Sequence, residues 1–460
     1  MAFGVLLLAL LAFYLVPDLL TRGLALDGLV YASIAQQLAQ GAGGFWALPH
    51  YDGSPGAFLE HPPLGIWLLA QWMRLVGDPF WAEKAYAGLC TLGCFGLTGM
   101  LWREVSGRLN VWWPWLLLAV MPVATYTLKN NYLESALVLA ALLAVWAGWR
   151  LVPAPLSAGA FAGWSMLLAG GVFAGLLIKG PVGLYPLAAP LVFAVFEPPP
   201  GRSPGSPAAA AFGLTRSIPA VLLLCACLAL LLAHADARQA LAAWWQNQVV
   251  ASIAADRPVV HGRLYQLGNL ARNLLPPVLL TGLVLWRWGR WPAQGRAWAL
   301  LLLGAAASVP LLLSARQFKH YLLPSLPLFA LGLGMLAQPA GHWRIRAAAV
   351  WSLVGLVLLG VLLRGYWLFG TVGDDRDEQA LAAEVAAALP AGAALRWCPE
   401  LSDEYAARAY LMRDHGISSS AGGAPPEPAG DAWRLCEIGD SAIGLRIFGE
   451  VYLYPPGRAG

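Results

Sequence analysis

The chain has 460 residues, 59% of them hydrophobic and only 12% charged, with a mean hydropathy of +0.61. So little charge excludes a soluble globular protein of this size and points to an integral membrane protein. The net charge of +4 is small enough for basic membrane loops to supply it, with no nucleic acid as partner.

In chain order, apolar runs predict about eleven spans. They lie near 2–20, 80–102, 111–128, 132–149, 158–178, 182–196, 217–234, 274–289, 297–314, 320–338 and 347–369. The first lacks a basic leader and a small-residue cleavage site, so it reads as an uncleaved span rather than a signal peptide. Polar segments at 21–79 and 235–273 interrupt the series on one side. The opposite loops are short and carry Arg103, Arg108, Arg150, Arg202, Arg216, Arg287, Arg290, Arg296, Arg344 and Arg346, which puts those loops inside and the two long segments outside. An all-α polytopic membrane domain over 1–369 is expected, with interfacial helices in its outer segments.

The tail, 370–460, differs in kind. Asp374-Asp375-Arg376-Asp377-Glu378 opens it, and an alanine-rich helical run ends at Pro390. Strand-like runs follow at 394–397, 433–438 and 445–454, predicting a small extracytoplasmic α/β domain. Cys398 and Cys436 are free to form a disulfide if the tail lies outside, whereas Cys90, Cys94, Cys225 and Cys227 sit in apolar runs as small hydrophobes.

Chemistry-bearing residues gather in the outer segments. In "ALDGLVYASIAQQLAQG", Asp27, Tyr31, Ile34 and Leu38 recur at helical spacing while Gln36, Gln37 and Gln40 take other faces, predicting an amphipathic interfacial helix. Asp27 is either a first-turn acid of that helix or a reacting group. In "LEHPPLGIWLLAQWMRLVG", Pro62 and Pro63 hold Glu60 and His61 on an extended corner before a short helix, as polar caps or as site residues. The only four lysines, Lys84, Lys129, Lys179 and Lys319, all fall at outer span ends, by chance or as a cationic rim for an anionic ligand. The second outer segment adds Arg257, His261, Arg263, Tyr265 and Arg272, which either snorkel to headgroups or bind a ligand.

An acid with Tyr31-Ala32 on one helix, then Glu60-His61-Pro62-Pro63-Leu64, then Lys179-Gly180-Pro181, then Tyr321 with Pro324, follow one another in a specific order. Over about residues 1–340 this order resembles the polyprenyl-phosphate-dependent GT-C glycosyltransferases, the superfamily of lipid A aminoarabinose transferases and protein O-mannosyltransferases. The resemblance implies a GT-C fold and transfer of one sugar, hexose or pentose, from a polyprenyl phosphate to a glycan, lipid or protein acceptor at the extracytoplasmic face. It implies a bacterial inner membrane location and membrane lipid as surroundings. It makes Asp27 the candidate base and Glu60 a second catalytic carboxylate, or a ligand to a divalent metal. It assigns the donor phosphate to Arg257 first and Arg263 second, with Lys319, His320, Tyr321 and Lys179 joining the same rim. Where aminoarabinose transferases carry a lysine after the carboxylate, this chain has His61. The family acid at the start of the fourth span is replaced by Asn131, leaving Glu134 one turn later to take the role. Tyr31 and His261 complete the candidates.

One base opposite a cationic leaving-group site predicts direct displacement with inversion at the anomeric carbon. The competing classes are a secondary transporter or lipid-linked sugar flippase, for which Lys179-Gly180-Pro181 would mark a broken helix, and a scaffold acting through the tail.

Overall fold

The structure, a computed structural model, describes residues 2–153, 155–251, 261–262, 264–288, 294–313, 317–337, 347–368, 370–371, 373, 375–421, 432–437 and 445–456. Helices dominate, and five of them are long and apolar enough to cross a membrane: Ala82–Ser106, Leu133–Arg150, Ala158–Lys179, Pro207–Ala233 and Gln294–Leu312. Ala2–Leu19 and Ala347–Leu368 also follow predicted runs closely, whereas Tyr265–Trp288 begins well before the run predicted from 274.

Among the described residues four predicted spans are not continuous α-helices, and each carries a proline at the change. The run near 297–314 is α-helical over Gln294–Ser308 and 3₁₀ over Val309–Leu313, which holds Pro310. The run near 111–128 divides into Trp112–Ala119 and Pro122–Lys129, because Pro122 has no amide hydrogen to carry the ladder onward. The run near 182–196 begins as a 3₁₀ helix, Pro181–Ala188, and becomes α-helical only over Ala189–Phe196. Similarly, Lys319–Ser325 is 3₁₀ before the Leu326–Leu336 helix. Irregular backbone at membrane depth survives only where protein buries it or a cavity accepts it.

The chain divides into two compact units. The first comprises 1–19, 59–65 and 85–368. Its core is built on Trp102, Leu117, Leu128, Phe193, Leu300 and Leu326. At Gly171 a Cβ would come within 2.7 Å of the Ala140 carbonyl oxygen, so only glycine lets Ala158–Lys179 approach Leu133–Arg150 this closely. The Pro207–Ala233 helix leaves Leu214, Ile218, Leu222 and Leu230 exposed, as a lipid-facing helix should.

The second unit comprises 20–58, 66–84 and 369–460. Its sheet contains β1 (Leu395–Trp397), β2 (Ser419–Ala421), β3 (Trp433–Cys436), β4 (Leu445–Phe448) and β5 (Val451–Tyr454), in the order β2-β1-β3-β5-β4. β1 runs parallel to β2 and β3, with Trp397 opposite Leu435; β5 is antiparallel to β3 and β4. Cys398 and Cys436 form a disulfide just beyond β1 and at the end of β3. The Arg376–Ala388 and Tyr405–His415 helices pack together beside this sheet, and Tyr405–His415 also packs on Leu26–Ala39.

The Leu26–Ala39 helix differs from the expected amphipathic pattern. Gly28, Leu29 and Tyr31 through Leu38 are all buried, glutamines included. Gln36 Nε2 donates to the Arg413 carbonyl at 2.8 Å and to Asp78, while Gln37 Nε2 donates to the His50 carbonyl at 2.8 Å. The polar positions face protein partners rather than water, so hydrophobic periodicity misreads their direction.

Candidate active site

Glu134 lies in the first turn of Leu133–Arg150, where an acid suits the positive end of the helix, yet it is only 1% exposed. Its neutraliser arrives from another helix. Lys179 is the last residue of Ala158–Lys179, the favourable end for a cation, and its ammonium forms an ion pair with Glu134 Oε1. The turn that places Lys179 needs Gly180: its φ of 82° lies in the left-handed region, and a Cβ there would meet the Trp244 ring at 2.5 Å.

His320, buried on the Lys319–Ser325 segment, puts Nε2 3.7 Å from the same Glu134 oxygen. Its ring stacks on Tyr132 at 4.3 Å between centroids, which fixes its plane. The Lys179 ammonium lies 4.4 Å from the Tyr321 ring centroid, a cation–π contact on its second side. Glu134 Oε2 is buried with no hydrogen-bond partner among the described residues.

These groups open on a cavity of about 680 Å³. Glu60, His61, Glu134, Lys179 and Tyr321 line it, together with an apolar wall including Leu137, Val182, Leu184, Leu187, Ala306 and Leu311. Three proline-bearing 3₁₀ segments contribute, Pro181–Ala188 through Val182 and Tyr185, Val309–Leu313 through Pro310 and Leu311, and Lys319–Ser325 through Tyr321. The departure from α-helix therefore occurs where backbone borders open space. A surface that is mostly apolar with a few converging charges suits an amphiphile with a polar head.

The cavity thus gathers five predicted residues, Glu60, His61, Glu134, Lys179 and Tyr321, with His320 against Glu134. Glu60 is exposed and His61 half-buried. Lys319 lies with Nζ 3.7 Å from the Tyr126 ring centroid, and half-buried His261 stacks on Tyr265 at 3.8 Å. Arg257 and Arg263 lie outside the described residues. Asp27, half-buried, and Tyr31, buried, belong to the second unit, in the Leu26–Ala39 helix. Among the described residues Glu60 belongs to no group of three ligating side chains; the group found there is Cys398, Glu400 and Cys436, whose thiols are spent in a disulfide.

The sequence placed Lys179 in a cationic rim with the other lysines, or at a broken helix, and did not reveal its pairing with Glu134. The signal was available, since two charges embedded in apolar runs are tolerated chiefly when paired. Two of the four lysines are likewise held by the fold: Lys129 pairs with Asp18 at 2.5 Å, and Lys84 donates to Thr21 Oγ1 at 3.0 Å. Trp244, Tyr185 and Gln248 also line the cavity and carried no sequence signal.

The fold is similar to that of ArnT from Cupriavidus metallidurans bound to undecaprenyl phosphate, with a TM-score of 0.63 over 94% of this chain and 92% of that one, at 15% identity. The apo state of the same protein gives 0.60 at 15% identity over the same shares. The apo oligosaccharyltransferase of Archaeoglobus fulgidus gives 0.50 at 11% identity, over 91% of this chain and 64% of that one. No protein-family model matches this chain, and no curated protein does. The chain therefore has the GT-C fold with a small C-terminal sheet domain, and it is an integral membrane protein.

Proposed function

We propose that this protein is a membrane glycosyltransferase that moves a single sugar from a polyprenyl-phosphate donor to an acceptor at the extracytoplasmic face of a bacterial inner membrane, with inversion. The observation that carries the reading is the cavity, where an ammonium and two carboxylates share a largely apolar wall in a fold similar to that of ArnT. A prenyl chain matches the apolar side chains, and its phosphate matches Lys179. As the glycosidic bond breaks, negative charge grows on that phosphate, and a fixed cation stabilises the growing charge more than the ground state. Glu134 and Tyr321 hold the ammonium in place beforehand, so little reorganisation accompanies the step.

Glu60, exposed on the proline corner, is the cavity carboxylate best able to meet a sugar hydroxyl. Asp27 enters as the acceptor base on its sequence motif; its ordinary acidity lets it take the proton only as the acceptor hydroxyl becomes acidic in the transition state. Lys319, His320 and, by sequence, Arg257 and Arg263 complete the donor side.

The test is transfer of radiolabel from a panel of polyprenyl-phosphate sugars to membrane fractions. Wild type should label one acceptor class from one donor, and Lys179→Ala, Glu60→Gln and Asp27→Asn should each lower the rate at least tenfold. Failure of every donor, or full activity of Lys179→Ala, would overturn the reading. A second reading, a lipid-linked sugar transporter, draws on the helix break at Gly180-Pro181 beside a buried ion pair. Movement of lipid-linked sugar across vesicles without transfer would favour it.

A further inference from the structure

Within the second unit, one tail helix holds the Asp27 helix on both sides of Asp27. The Leu24 amide, three residues before Asp27, donates to Tyr410 Oη at 3.2 Å. That hydroxyl is itself oriented: it donates to Asp375 Oδ2 at 3.2 Å and accepts from Gln379 Nε2 at 3.5 Å. Nine residues after Asp27, Gln36 Nε2 donates to the Arg413 carbonyl at 2.8 Å. The Arg413 side chain is buried and pairs with Asp78 at 2.8 Å and Glu83 at 3.0 Å; Asp78 also accepts from Gln36. Tyr410 and Arg413 both belong to Tyr405–His415, more than 370 residues away in sequence.

We propose that Tyr410 and Arg413 are positioning residues: the C-terminal domain acts as a clamp that fixes the Leu26–Ala39 helix, and with it the Asp27 carboxylate. The proposal rests on the reading of Asp27 as acceptor base. Two observations separate a clamp from ordinary packing. The Tyr410 hydroxyl bonds a backbone amide lying before the helix begins, where no intrahelical carbonyl serves it. In addition, the Arg413 guanidinium is locked by two carboxylates of the same unit, so its backbone carbonyl presents one fixed acceptor. A general base displaced by about 1 Å loses on the order of a hundredfold in rate, so modest loosening is visible in turnover.

The experiment uses the full chain in lipid nanodiscs, with Tyr410→Phe, Arg413→Gln and Arg413→Lys. Hydrogen exchange at amides 26–39 needs no substrate and reads the clamp alone. Transfer from the labelled polyprenyl-phosphate sugar that wild type uses best reads the consequence. Tyr410→Phe and Arg413→Gln should speed exchange at 26–39 and lower kcat about tenfold with donor KM unchanged. Arg413→Lys should recover part of both. Unchanged exchange overturns the proposal, as does faster exchange with unaltered kcat or a loss confined to donor KM. Should wild type transfer no sugar from any donor, the functional reading fails, and exchange at 26–39 then decides the clamp by itself.

Discussion

Glu134 and Lys179 are charges placed in apolar sequence, and each is tolerated only because of the other. Removing one partner leaves an uncompensated buried ion, which costs about 3–5 kcal/mol, whereas removing both in favour of apolar side chains is close to neutral. Lys179→Met should therefore lower the thermal unfolding temperature sharply, and adding Glu134→Leu should restore much of it while transfer stays absent. If the double variant transfers sugar, the pair is structural alone. A second buried carboxylate, Asp52, behaves differently. Burial opposes its charge, but bonds from His50 and Ser54 and the Arg408 guanidinium outweigh that and hold its pKa below the ordinary 3.8, at about 2. Stability linked to Asp52 is thus complete above about pH 4 and is lost as pH falls through about 2. Hydrogen exchange at the Ser419 amide, which donates to the Asp52 carbonyl at 2.9 Å, should stay slow down to pH 4 and quicken below it, and Asp52→Asn should remove this dependence.

At the scale of elements, helix positions were legible because hydrocarbon length and apolar run length are nearly the same quantity. The winding inside those runs was less legible. A proline removes one donor but does not say whether the chain kinks, breaks or tightens to 3₁₀, since that depends on what accepts the freed carbonyls. Pro181 and Pro324 answered with 3₁₀ turns bordering the cavity, while Pro276 and Pro277 sit inside the continuous Tyr265–Trp288 helix. Gly180 joins one such turn to the helix carrying Lys179. Gly180→Ala meets both a positive φ and the Trp244 ring, so it should destabilise by about 1–3 kcal/mol and lower transfer more than Gly262→Ala, where a Cβ has open space. Equal effects of the two substitutions on turnover would remove the positioning role given to this turn.

Over the whole molecule, the strand-like runs announced a small domain, which appears with its sheet, and the two tail cysteines, whose pairing the sequence left open, form a disulfide. The disulfide closes a separation of 38 residues, which constrains the unfolded tail by about 4 kcal/mol on chain-entropy grounds. Replacing Cys398 and Cys436 by serine should lower tail stability accordingly, and an impermeant protease should cut the variant's tail in spheroplasts whose inner membrane is sealed; cleavage only after that membrane is permeabilised would reverse the proposed orientation. Less visible was that the tail packs as one unit with 20–58 and 66–84. By itself, the sequence determined the membrane class, the approximate spans, the polar segments between them and the sheet-forming tail, because transfer of each apolar run from water is nearly additive along the chain. Only the tertiary structure decided that Lys179 meets Glu134 and that Tyr410 and Arg413 grip the helix of Asp27. Ion pairs and hydrogen bonds depend on ångström distances between residues tens to hundreds of positions apart, and no local periodicity encodes those distances.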